Sequence, residues 1–155
     1  MDGRRRNVLK AGGGLGIWSV LAATGIATPA TAQDARNVAA FEATTLDEAL
    51  QALGARNAAD SGSIRIVAPD VAEDGRAVAI SVSSEIPRTE QIVILIEENP
   101  YKVAASFRLS AAMAPSIQTR VKMARSTRVH ALVKADGRIF AARREVTVTV
   151  GGCGT

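Results

Sequence analysis

An all-β fold, an antiparallel β-sandwich of the immunoglobulin type with a short helix ahead of it, is predicted by three observations. From Ile64 onward the apolar period is 2, where a helix would show 3.6. β-branched residues dominate that stretch almost to the C-terminus. Turn sequences, Glu73-Asp74-Gly75, Asn99-Pro100 and Asp136-Gly137, fall between the alternating runs and supply backbone geometry that strands avoid. About seven or eight short strands over roughly ninety residues result, which favours a sandwich; a closed barrel shares much of the pattern. The 155 residues suffice for one domain with its own core, and a second full domain is not expected.

Residues 1–32 read as an export signal. Basic residues precede an apolar, glycine- and alanine-rich stretch, and Ala30-Thr31-Ala32 is a small-x-small cleavage site. Arg5-Arg6-Asn7-Val8-Leu9-Lys10 has the form of a twin-arginine signal, which implies export of the folded chain to the periplasm. A stable membrane anchor is not expected, because Gly12, Gly13, Gly14 and Gly16 weaken a helix and the apolar run falls short of the roughly 20 residues a span needs. On this reading the mature chain begins at Gln33.

Residues 33–62 form a lead-in with a short helix. The stretch 33–41 has no clear period and reads as solvated. Thr45-Leu46-Asp47-Glu48 then fits a capping box. Leu46, Ala49, Leu50 and Leu53 make one apolar stripe, and Gly54 is placed to stop the helix in a left-handed turn. That stripe predicts a helix lying against the main domain. Residues 56–63 are small and polar and separate the helix from the strands.

Residues 63–150 form the sandwich. Val78, Ile80 and Val82 face one way, with Ala77, Ala79, Ser81 and Ser83 opposite. Ile117, Thr119, Val121 and Met123 alternate with Gln118, Arg120 and Lys122, and Val146, Val148 and Val150 with Thr147 and Thr149. Residues 92–96 are apolar on both faces, as a central strand covered from both sides requires.

The net charge of +4 raises nucleic acid as a partner, but its distribution removes the case. Once Asp2 and the four cations of residues 1–32 are set aside, 15 basic and 14 acidic residues remain. Aromatics at 3% leave little to stack on bases, so no nucleic-acid partner is expected. Catalytic groups are few. The single His130 lies opposite Val129, Ala131 and Val133 and reads as an ordinary strand histidine. One histidine and one cysteine cannot furnish a structural zinc site, and no Gly-rich phosphate loop opens a helix, so neither metal nor other cofactor is expected. Glu97-Glu98 is a close acidic pair of the β domain, and neighbours on a strand point to opposite faces, which argues against a shared substrate. No catalytic residue is assigned.

The only cysteine, Cys153, is different in kind. An unpaired cysteine in an exported chain either bonds to another molecule or stays a free thiol. Gly151, Gly152 and Gly154 surround it, have no side chains to pack and allow many backbone angles, so residues 151–155 read as a mobile, exposed arm. Three residues from Val150 to Cys153 give roughly 10 Å of reach. The glycines bring neither charge nor burial to activate the thiol, which suits a group presented to other enzymes that supply the base, metal or oxidant. Composition alone leaves a presented thiol and an incidental cysteine on a frayed terminus both open.

The sequence Val146-Thr147-Val148-Thr149-Val150-Gly151-Gly152-Cys153-Gly154 resembles the C-terminal signature of the SoxY sulfur carriers. Glu98-Asn99-Pro100, Val103-Ala104-Ala105-Ser106-Phe107, Thr119-Arg120-Val121-Lys122-Met123-Ala124 and Lys134-Ala135-Asp136-Gly137 resemble that family in order and spacing. The family usually ends Gly-Gly-Cys-Gly-Gly, so Thr155 stands at the last glycine position; threonine is stiffer, but it lies beyond the thiol. The resemblance implies a non-enzymatic, periplasmic carrier that holds thiosulfate-derived sulfur covalently on Cys153. It also implies a heterodimer with a second small β subunit, SoxZ. A c-type cytochrome of the Sox pathway would couple thiosulfate to the thiol, a hydrolase would release sulfate, and in some pathways a sulfane dehydrogenase would oxidise the remaining sulfur. The competing reading is an exported β-sandwich binding module with an incidental terminal cysteine. A thiol-redox protein ranks lower, because the resolving cysteine such chemistry employs is missing.

Overall fold

The structure is a computed structural model and describes residues 37–150. The export signal and the expected arm, with Gly151, Gly152, Cys153 and Gly154, lie outside the described residues. Two helices, α1 (Val38–Glu42) and α2 (Leu46–Ala52), precede nine strands. The first four strands are β1 (Ala59–Asp60), β2 (Ile64–Val67), β3 (Val71–Asp74) and β4 (Val78–Ser84). After them come β5 (Thr89–Ile96), β6 (Val103–Arg108), β7 (Ser116–Val121), β8 (Thr127–Ala135) and β9 (Arg138–Val150).

Helix α2 forms as its sequence dictates. Thr45 Oγ1 accepts the Glu48 N–H at 3.2 Å, and the Glu48 carboxylate accepts the N–H of Thr45 at 3.1 Å, completing the capping box. At the other end Gly54 takes φ 68°. That left-handed step lets the Ala55 N–H reach the Leu50 carbonyl at 2.7 Å and closes a Schellman motif. A Cβ at Gly54 would meet nothing within 4 Å, so the backbone angle, and not space, is what calls for glycine. Helix α1 departs from the sequence reading, in which residues 33–41 are solvated. Its five residues are too few to show a period; Asn37 caps it by accepting the Ala40 N–H at 3.1 Å, and Ala40 is wholly buried.

The strands form two sheets. The larger runs β1-β9-β8-β5-β6, with β3 also paired to β9, and the smaller runs β2-β4-β7. All pairings are antiparallel except β1 and β3, which lie parallel to β9. Between the sheets sits the main core, where Ile80 and Val82 of β4 meet Ile92, Ile94 and Ile96 of β5 and Val129, Ala131 and Val133 of β8. On the far face of the larger sheet Val93, Leu95 and Leu132 pack with Ala40 and Ala49 of the helices. The fold is therefore three layers, helices on a six-stranded sheet on a three-stranded sheet. The two apolar faces of residues 92–96 are explained: one meets the smaller sheet and the other meets the helical layer.

Asp136 (φ 48°) and Gly137 (φ 70°) join β8 to β9, with Ala135 opposite Arg138, as a two-residue hairpin of type I′ requires. A second left-handed residue, Arg88 (φ 56°), lies in the turn between β4 and β5. Its guanidinium grips Asp136 at two points, Nε donating to Oδ1 at 2.6 Å and Nη2 to Oδ2, and this holds the Asp136 carboxyl below the ordinary carboxylate range. The pair is exposed, so its contribution is small, while the left-handed angle opposes any side chain. Arg88→Gly removes both effects at once. The melting temperature is expected to stay within about 4 °C of the parent, read by circular dichroism; a fall of more than about 10 °C would show that the pair clamps the two turns together.

Candidate functional site

Since Cys153 and its glycines fall outside the described residues, the geometry of interest is that of the strand that leads to them. Strand β9 pairs with β8 along residues 138–146 and then with β3 along residues 147–150. Its last stretch of pairing is anchored from several directions. The Thr147 N–H donates to the Asp70 carbonyl at 2.9 Å, the Val148 N–H to Ser126 Oγ at 2.9 Å, and Thr149 Oγ1 to the Glu73 carbonyl at 2.7 Å. The Val150 carbonyl accepts the Gly75 N–H at 2.7 Å, while the Val150 side chain is 63% exposed. A backbone held to its last residue beside an exposed side chain makes a fixed origin for the residues after it. The Gly75 carbonyl also accepts the Met123 N–H at 2.7 Å, which ties the β3–β4 turn to the segment after β7. Next to it Arg76 Nε donates to Asp74 Oδ2 at 2.8 Å, and that hydrogen bond, with the Arg76 backbone N–H, holds the Asp74 carboxyl below its ordinary range.

A cleft of about 350 Å³ opens beside the same part of β9, between Thr147 and the segment 125–128. Glu97, Glu98 and Glu145 line it against only Arg125 and Arg128. Arg128 is shared between Glu97 at 3.5 Å and Glu145 at 3.4 Å, and Arg125 lies 3.8 Å from Glu98. With carboxylates in excess and both guanidiniums engaged, this cleft disfavours an anion. Strand alternation predicts that the two adjacent glutamates face apart, yet both line one cleft. β5 ends at Ile96, so Glu97 and Glu98 belong to the turn and strand alternation does not govern them.

His130 lies where its strand position predicts, on the face opposite Val129, Ala131 and Val133. Its Nε2 is 3.0 Å from Glu97 Oε2 and the ring is buried. The hydrogen bond with His130 is the chief reason that the Glu97 carboxyl sits below its ordinary range, against a smaller opposing effect of burial. The ring is thus a satisfied structural group, and the signal that would have revealed its partner, a register across two strands, is not local in sequence. Among the described residues no three His, Cys, Asp or Glu side chains converge on one metal position.

Residues 49–153 match the family model described as sulfur oxidation protein SoxY, and the matched segment ends on Cys153. None of the curated proteins matches the chain. Among solved structures the chain is similar to the sulfur carrier protein SoxY from Chlorobium limicola f thiosulfatophilum, with 35% identity and a TM-score of 0.63 over 70% of this chain and 96% of that one. The family model spans well over half of the sequence, the solved relative shares the fold at 35% identity, and the cysteine lies inside the matched segment, so the chain belongs to the SoxY family.

Proposed function

We propose that the chain is a periplasmic sulfur carrier that holds thiosulfate-derived sulfur on Cys153 and is acted on by partner enzymes, catalysing nothing itself. The observation that carries the reading is the anchored end of β9: Val150 is hydrogen-bonded to Gly75, and the sole cysteine comes three residues later, flanked by Gly151, Gly152 and Gly154. That separation corresponds to about 10 Å of extended chain, enough to carry a thiol away from the domain and into another protein's cleft.

The chemistry needs only the thiol from this chain. Cys153 and thiosulfate lose two electrons and one proton as the sulfur–sulfur bond forms, giving a cysteine S-thiosulfonate, with a c-type cytochrome as electron acceptor. Water then cleaves the bond to the terminal sulfonate, releasing sulfate and leaving a persulfide on Cys153. A hydrolase supplies that step, and a sulfane dehydrogenase is the further partner where the persulfide is oxidised. SoxZ is proposed as the stable companion subunit, and residues 1–32 as the twin-arginine signal that brings the folded chain to the periplasm.

Intact mass of the protein taken from the periplasm of thiosulfate-grown cells tests this reading. The expected species begins at Gln33 and carries sulfur-bearing adducts that a reductant removes. A mass corresponding to bare thiol under every growth condition would sink the carrier role.

A further inference from the structure

We propose that the outer face of the smaller sheet, at the end carrying Arg120 and Lys122, is where a partner enzyme with a carboxylate-rich rim docks while it works on Cys153, an inference that rests on the carrier role proposed above. Strand alternation turns Arg65 of β2, Ala79, Ser81 and Ser83 of β4, and Gln118 and Arg120 of β7 toward this face, because their neighbours enter the core. Lys122, just past β7, is exposed between the buried Val121 and Met123 and continues the same row. None of the outward positions of these strands is acidic. Among the described residues neither Arg120 nor Lys122 has a carboxylate within ion-pair distance, whereas Arg76, Arg143 and Arg144 are held by Asp74, Asp60 and Asp70. Glu85 follows the opposite end of β4, so the unbalanced charge is concentrated where Arg120 and Lys122 stand.

That end of the sheet lies beside the origin of the arm. Gly75 uses both backbone groups there, its N–H on the Val150 carbonyl and its carbonyl on the Met123 N–H, each at 2.7 Å. Lys122 therefore stands about 10 Å, two strand spacings, from Val150. The thiol reaches only roughly 10 Å beyond Val150, so an enzyme that receives it has to rest against the surfaces around this corner. Two of those surfaces differ in sign. The cleft walled by Glu97, Glu98 and Glu145 has carboxylates in excess, and the end of the smaller sheet has cations without partners. A cleft mouth rimmed with carboxylates is drawn to the second and repelled by the first, which sets how the enzyme sits over the arm. The central row of Ala79, Ser81 and Ser83 offers little apolar surface to bury, so association here rests on charge. Charge speeds encounter more than it prolongs contact, as a thiol passed between successive enzymes requires. Two or three cations fall short of the about four to eight that hold an anionic lipid surface.

The test is the rate at which the c-type cytochrome loads thiosulfate onto the mature chain in complex with SoxZ, with carrier concentration and ionic strength varied. Arg120→Glu with Lys122→Glu is expected to lower kcat/KM for the carrier at least about tenfold at low ionic strength, where the screening length is about 30 Å, and by less than about threefold near 1 M, where it is about 3 Å. The kcat at saturating carrier, the KM for thiosulfate and the rate of Cys153 alkylation by a small reagent are expected to stay at the parent values. Arg120→Gln with Lys122→Gln is expected to fall between the two, and serves if the reversed pair does not fold, which circular dichroism checks. Lys134→Glu with Arg138→Glu makes the same change of net charge at the β8–β9 hairpin, the far end of β9, and is expected to stay within about twofold. If the parent loads and the Arg120/Lys122 variants load equally well at low salt, or the hairpin variant loses as much, the docking face is wrong while the carrier role stands. A change confined to the KM for thiosulfate would overturn it in favour of a small-anion site. Loss of binding to phosphatidylglycerol vesicles with loading unmoved would overturn it in favour of a lipid surface. If the parent takes no sulfur, the carrier reading has failed and this face falls with it.

Discussion

Cys153→Ser is expected to abolish thiosulfate-dependent electron release in a reconstituted pathway, to below about one part in a thousand of the parent rate, while leaving the melting temperature unchanged. The size reflects the bond that has to form. Serine oxygen is not oxidised to a sulfur–oxygen link under conditions that couple two sulfurs, and the chain offers no second cysteine to take over. The unchanged stability reflects position, because the last residue of β9 already has an exposed side chain and every described core residue lies between Ala40 and Val146. Cytochrome reduction, followed optically, reads the first half, and circular dichroism reads the second. Retained turnover would mean that the sulfur rides elsewhere or remains free in solution.

The route to that residue shows what a sequence reveals. Cys153 stands out because it is unique, flanked by glycines and preceded by the alternation of Val146, Val148 and Val150. What the sequence does not display is how the end of β9 is held. The bond from Gly75 to Val150 joins two backbone groups, and the parallel partners β1 and β3 are two and four residues long, with only Ala72 buried between them. Backbone pairing between distant, short, exposed segments leaves no residue pattern. The same limit hides the Arg88 grip on Asp136, which depends on a left-handed arginine 48 residues away from its partner. Where the information is local it is legible: the capping box of Thr45 and Glu48, the stop at Gly54, the Asp136-Gly137 hairpin and the double-sided burial of β5 are all present in the fold. Glu97 and Glu98 mark the boundary between these cases, since a strand that ends one residue earlier reverses the inference drawn from their adjacency.

Ile94→Ala is expected to cost about 2–5 kcal/mol of stability. Ile94 is wholly buried in the main core, on the strand that pairs with both β6 and β8. Both walls around it are sheets held by ladders of hydrogen bonds, so neither can move in to fill the space that the lost methyl and methylene groups leave. Leu95, its neighbour, is as deeply buried but faces two short helices, whose fully buried residues are alanines and whose larger side chains, Phe41, Leu46 and Leu50, are only partly buried. That layer can settle toward a smaller side chain, so Leu95→Ala is expected to cost about 2–3 kcal/mol, at the lower end of the range. Urea unfolding with a common m-value gives both numbers. Equal losses would show that the helical layer is as rigid as the second sheet. Both variants are expected to load sulfur at the parent rate per folded molecule below the unfolding transition, because neither substitution touches the pairing of residues 147–150 or the thiol beyond it. A loading rate that fell with stability would mean that the domain's interior, and not only the end of β9, governs how the cysteine is presented.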